Sequence, residues 1–154
     1  MTRLNADLAN DLGNLVNRAC SMIGRYCEGH VPAVRTVEGP DAALRQAAAM
    51  LPSAIDPLMR RLEFSAALEA IMQTVTSANQ YIEAVAPWKL AKDPQQAPRL
   101  QTVLGLLAEV IRVVATALEP FMPSVSAAMH EQLGGPRIGP HPVLFPRNEP
   151  ARLS

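Results

Sequence analysis

The stretch LNADLANDLGNLVNRACSMIGRY, residues 4–26, decides the fold. Leu8, Leu12, Leu15, Ala19, Met22 and Tyr26 recur at spacings of three and four, which places them on one face of a helix. Arg3, Asp7, Asn10, Asn14, Arg18, Ser21 and Arg25 follow the same spacing on another face. Each residue turns the helix by about 100°, so Asn10, Asn14 and Arg18 stack in one polar stripe, each a turn above the last.

The same periodicity continues outward from this helix. Gly29, Pro32, Gly39 and Pro40 make residues 28–40 a loop, and Asp41 is suited to cap a second helix reaching about residue 62. Pro52 and Pro57 predict a kink or break near 52–56, with Pro57 in the first turn of the next segment. A helix over 64–85 carries Leu68, Ile71, Met72, Val75, Ala78 and Ile82 on its apolar face, and Pro87 stops it. Residues 86–94 read as a short connection with one helical turn. Pro98 opens a long helix through 118; Pro120 and Pro123 end it and begin another, which Gly134 and Gly135 halt after 121–133. Strand patterns and repeats are absent, so the fold class is all-α, an antiparallel up-and-down helical bundle over residues 1–135. A Pro- and Arg-rich tail, 136–154, comes last; its apolar cluster Val143, Leu144 and Phe145 either packs on the bundle or leaves the tail loose.

The bulk properties agree with one globular domain. Of 154 residues, 49% are hydrophobic and only 4% aromatic, so the core is built from aliphatic side chains. The formal net charge is zero, which argues against a general polyanion binder and leaves only a local patch for any nucleic acid. Twelve of the fourteen basic residues are arginine; the two lysines, Lys89 and Lys92, flank the single tryptophan, Trp88. Cys20 and Cys27 fall two turns apart on one helix, about 10 Å, too far to bridge. A polar start and the interruption of the apolar run 103–118 by Gly105, Glu109 and Arg112 point to a cytoplasmic chain with no membrane span. No phosphate loop, zinc spacing or nucleophile elbow is present, and His30, His130 and His141 lie far apart, so no metal site and no catalytic residue can be named.

Two features remain. Amide and guanidinium groups such as those of Asn10, Asn14 and Arg18 can read the edges of unpaired bases. Trp88, fixed after Pro87, offers a ring on which a base can stack. Spacing alone leaves the plainer alternatives open: a polar stripe is most often a solvated face, and a lone tryptophan most often packs.

The strings themselves go further. NADLANDLGNLVNR (5–18), SANQYIEAVAPWKLAKD (77–93) and LFPRNE (144–149) closely resemble the C-terminal anticodon-binding domain of methionyl-tRNA synthetases, a class I family. LEFSAALEAI (62–71) and LEPFMPSVSAAMHEQLG (118–134) are similar to it as well. The resemblance implies the class I synthetase type of helical bundle. It implies binding of tRNA(Met) through its CAU anticodon in support of aminoacylation, with Asn14 and Arg18 in the family's N-x-x-x-R pattern, Asn10 one turn earlier, and Trp88 stacking on the first anticodon base. The family's catalytic domain, with its ATP and methionine sites, has no counterpart here, so no cofactor is expected in this chain. The partners implied are the tRNA(Met) anticodon loop and the ligase catalytic domain, in cis or in trans. The alternative is a free-standing or degenerate homologue that acts as a protein-interaction module without reading an anticodon. Residues 34–58, with their prolines, match the family least, and no role passes to Lys89 or Lys92.

Overall fold

A computed structural model describes the backbone of residues 2–139 and the side chains of residues 6–139. The LFPRNE string, the Val143–Leu144–Phe145 cluster and the side chain of Arg3 therefore lie outside the described residues. The elements are α1 (Thr2–Tyr26), α2 (Asp41–Arg60), α3 (Phe64–Val85), the single turn α4 (Pro87–Leu90), α5 (Ala97–Leu118) and α6 (Pro123–Leu133), with a short 3-10 turn at Pro94–Gln96 before α5. No β-strand occurs among the described residues.

Side-chain contacts between helices give the helix directions. The start of α2 meets the end of α3 through Asp41 and Tyr81, and meets the start of α5 through Asp41 and Arg99. Ser126, early in α6, donates to the Ala115 carbonyl late in α5 at 2.6 Å. Asp11 and Arg18 of α1 reach Asn79 and Glu83 of α3 in the same order along both helices. Helices α2, α3, α5 and α6 thus alternate up and down, and α1 runs beside α3 in the same direction. One end of the bundle gathers the C-terminal halves of α1 and α3, the starts of α2 and α5, and α4.

The core sits where the apolar stripes meet. On α1 the buried hydrophobic residues are Leu8, Leu12, Leu15, Val16, Ala19, Cys20 and Ile23. Met22 and Tyr26, expected on that face, are only half-buried. At 3.6 residues per turn the stripe drifts around the helix, and Val16, Cys20 and Ile23 take over its last turns. Each fully buried Leu or Ile contributes about 1.5–3 kcal/mol of hydrophobic stabilisation. The stretch Pro94–Leu118, which contains α5, is long and apolar enough to cross a membrane, but 72% of its apolar window is buried inside the bundle. Its composition is that of a central core helix.

The predicted break in α2 does not occur: the helix runs unbroken through Pro52 and Pro57 to Arg60. Both proline rings lie on the exposed face. Leu44, Ala48 and Leu51 on the opposite face are buried against α3 and α5, and this packing outweighs the roughly 3 kcal/mol local cost of an interior proline. Asp41 is likewise no cap. It is the first residue of the helix, fully buried, and its carboxylate is bound by other helices.

Residues 31–38 cross α5 as an extended strap. Arg35 N–H donates to Thr102 Oγ1 at 3.3 Å, and a Cβ on Gly105 would lie 2.5 Å from the Pro32 carbonyl oxygen. Helix propensity alone predicts that Gly105→Ala stabilises by about 1 kcal/mol. The close approach reverses the sign, because lifting the strap costs about 1–3 kcal/mol. A lower urea midpoint for Gly105→Ala is the expected result; a higher one would mean that the strap does not press on this helix.

At the other side, Arg112 of α5 donates to the carbonyls of Leu133 and Gly135 and so caps the C-terminus of α6. Gly134 ends that helix as expected, with right-handed φ of −78°. A side chain there would meet the His130 carbonyl at 2.4 Å. The start of the tail is tied down: Val31 N–H donates to Pro136 O at 2.8 Å and Ile138 N–H to Gly29 O at 2.9 Å.

Both cysteines are free thiols. Cys20 is buried, its Sγ donates to Gln132 Oε1 at 3.3 Å, and burial pushes its pKa up to about 11. Burial raises the Cys27 pKa too.

Candidate nucleic-acid interface

The chain turn that places Trp88 is strained. Ala86 ends α3 in the left-handed conformation, φ +51°, which costs a non-glycine residue roughly 1–2 kcal/mol. Pro87 occupies the first position of α4 and is buried. The reversal swings Trp88 back over α1, where it stays 36% exposed. Arg18 Cζ lies 6.0 Å from the centre of the Trp88 ring, at the limit of a cation–π contact. Seventy residues apart in sequence, the two side chains meet in space.

Arg18 is also held from α3, by an ion pair between its guanidinium and the Glu83 carboxylate. The Glu83 side chain is 65% exposed, so the pair adds little to stability. Its effect is geometric: it fixes the planar fork of Arg18 beside the indole.

Arg18 stands as a ridge between two surface grooves. The first, about 260 Å³, runs between α1 and α3 and is lined by Asp11, Asn14 and Arg18 of α1 and by Thr76, Asn79, Gln80 and Glu83 of α3. Asn79 Nδ2 donates to the Asp11 carbonyl at 3.0 Å, while its Oδ1 is buried and accepts nothing. An unsatisfied buried acceptor costs about 1–3 kcal/mol. The second groove, about 370 Å³, lies on the Trp88 side and takes in Arg18, Ser21, Arg25, Tyr26 and Trp88.

Of the four residues singled out from sequence, Asn14, Arg18 and Trp88 converge on this ridge and its grooves. Asn10 is exposed one turn before Asn14 and lines neither groove. Lys89 and Lys92 are exposed. Sequence reasoning missed Glu83, Asn79, Gln80 and Tyr26. The first three lie within the SANQYIEAV string, yet nothing in that string says that its polar side chains face α1.

Fold and site together define an all-α bundle domain that carries a polar groove beside an aromatic shelf. Residues 31–140 match the family described as the anticodon binding domain of methionyl tRNA ligase, and the chain belongs to that family. The match begins after α1, but pairwise relatives include that helix. The methionine–tRNA ligase of Caldanaerobacter subterraneus is 39% identical over 96% of this chain and 26% of its own length. That of Enterococcus faecalis is 43% identical over 87% of this chain and 20% of its own. The crystal structure of apo Mycobacterium tuberculosis methionyl-tRNA synthetase superposes with a TM-score of 0.88 at 32% identity, covering 95% of this chain and 33% of that one. The chain therefore spans about a quarter of the length of the ligases it matches, and the catalytic part of the enzyme is not in it.

Proposed function

We propose that this domain binds the anticodon loop of tRNA(Met) and reads its CAU triplet, with Trp88 stacking on a splayed base and Asn14, Arg18 and the groove behind them meeting base edges. Asn10 would contact the loop from the next turn of the same stripe. The observation that carries this reading is the Arg18 guanidinium seated over the Trp88 ring, which joins a hydrogen-bonding fork to a stacking platform. The first groove supports it. Cytosine and adenine both present an exocyclic amine as donor, and the exposed Glu83 carboxylate is an acceptor beside Arg18. Aminoacylation, with its ATP and methionine, would be the work of a ligase catalytic domain joined to this one in cis or in trans, in the cytoplasm.

Trp88 is the only tryptophan, so its fluorescence reports the event directly. Adding a CAU anticodon stem-loop should quench it in step with binding. Binding that leaves the fluorescence unchanged would contradict stacking on Trp88.

One observation favours the second reading, a protein-interaction module. An apolar groove of about 430 Å³, lined by Pro52, Ile55, Met59, Val113 and Pro120, lies between the C-terminal halves of α2 and α5. Leu62 is 71% exposed beyond the end of α2. This surface is at the end of the bundle away from Trp88, so protein contact there leaves the reading ridge free. As the sole function it requires that the stem-loop does not bind.

A further inference from the structure

We propose that the groove lined by Ser21, Arg25 and Tyr26 holds the sugar-phosphate of the nucleotide next to the base stacked on Trp88, with Arg25 as the phosphate ligand. The proposal rests on the anticodon-reading function and adds to it the path of the RNA backbone.

Charge divides unevenly across the Arg18 ridge. The groove toward α3 takes in two acidic residues, Asp11 and Glu83, and the single cation Arg18. A phosphate entering it would be repelled, whereas amines and amides of a base would not. The groove on the Trp88 side is lined by two cations, Arg18 and Arg25, and by no acid. Glu83 already takes Arg18. Arg25 is exposed and has no carboxylate partner among the described residues, so its charge is the one left for an anion. The surroundings suit a nucleotide. Met22 and Tyr26, which leave the apolar stripe at the end of α1 and stay half-buried, give the groove an apolar floor next to the indole. Its volume of about 370 Å³ falls within the range of small-ligand sites, about 300–1,000 Å³. The drift that takes Met22 and Tyr26 out of the core thus has a use at the surface.

The test is a titration of the whole 154-residue chain with a CAU stem-loop at several salt concentrations, in wild type and Arg25→Gln. Arg25 is exposed and unpaired, so the variant should fold normally. Losing one phosphate contact should make the slope of log affinity against log salt shallower by about 0.7 and weaken binding about fourfold near 0.15 M salt. The preference for CAU over an exchanged triplet should stay, and Arg25→Lys should recover most of the slope. An unchanged slope in Arg25→Gln overturns the proposal, and so does loss of CAU preference, which would make Arg25 a base reader. If the wild-type chain does not bind the stem-loop at all, the anticodon-reading function fails first and the subsite falls with it.

Discussion

Arg18→Ala should weaken binding of a CAU stem-loop by about 10- to 100-fold, because a guanidinium hydrogen-bonded to a ligand contributes roughly 1.5–3 kcal/mol. The loss has two parts. The fork of donors disappears, and Glu83, deprived of its partner, faces the RNA as a bare carboxylate. Folding should be nearly unchanged, since the Arg18–Glu83 pair is largely solvated and such pairs contribute about 0–1 kcal/mol. Stability and affinity are therefore separable in this variant. Arg18→Lys tells charge from geometry: it restores the charge without the planar fork, so recovery should be partial and CAU preference should remain reduced. Full recovery by lysine would reduce Arg18 to a simple counterion. A change of less than about threefold in Arg18→Ala, under 1 kcal/mol, would remove it from the interface.

The largest effect on stability is expected at Asp41. Its side chain is fully buried and accepts four hydrogen bonds: from Tyr81 Oη at 2.5 Å, from two nitrogens of Arg99, and from Glu38 N–H at 3.1 Å. The cluster ties the starts of α2 and α5 to the end of α3, at the end of the bundle that carries Trp88. Asp41→Ala leaves Arg99 without its buried partner. Breaking such a pair costs about 3–5 kcal/mol. Arg99 keeps Glu38 at 3.5 Å and is 16% exposed, so the lower figure applies. A loss of about 3 kcal/mol is a large share of the roughly 5–15 kcal/mol that holds a domain together. Denaturant unfolding measures it, and a loss below about 1 kcal/mol would show that the cluster is not structural. The pH dependence has a definite sign. Burial pushes the Asp41 pKa up, but the bonds from Arg99, Tyr81 and Glu38 outweigh it and hold the carboxyl below its ordinary value. A depressed folded pKa contributes stability that is complete above the unfolded value, about 3.9, and is lost as pH falls through the folded one. The gap between wild type and Asp41→Ala should accordingly be constant near neutrality and close only below about pH 4.

Most of the bundle was legible because helix periodicity is local. The stripe from Leu8 to Ala19, the stop at Pro87 and the end at Gly134 all arise from residues within a few positions of each other. Where the reading failed, tertiary packing had the larger energy. Pro52 and Pro57 break helices locally, but α2 is clamped on two sides. Asp41 carries a common capping side chain, yet its partners come from residues 81 and 99. The site divides in the same way. Periodicity placed Asn14 and Arg18 on one face. The approach of Trp88, the ion pair to Glu83 and the unsatisfied oxygen of Asn79 depend on how α1 crosses α3, which no local pattern records.

The central claim is that the ridge formed by Arg18 and Trp88 reads bases and does more than attract RNA. It is tested most directly by titrating the wild-type chain, through Trp88 fluorescence, with a CAU stem-loop and with the same stem-loop carrying an exchanged triplet. A wrong base leaves buried polar groups unpaired at about 1–3 kcal/mol each, so CAU should bind at least about tenfold more tightly. Equal affinity for the two stem-loops would contradict the account.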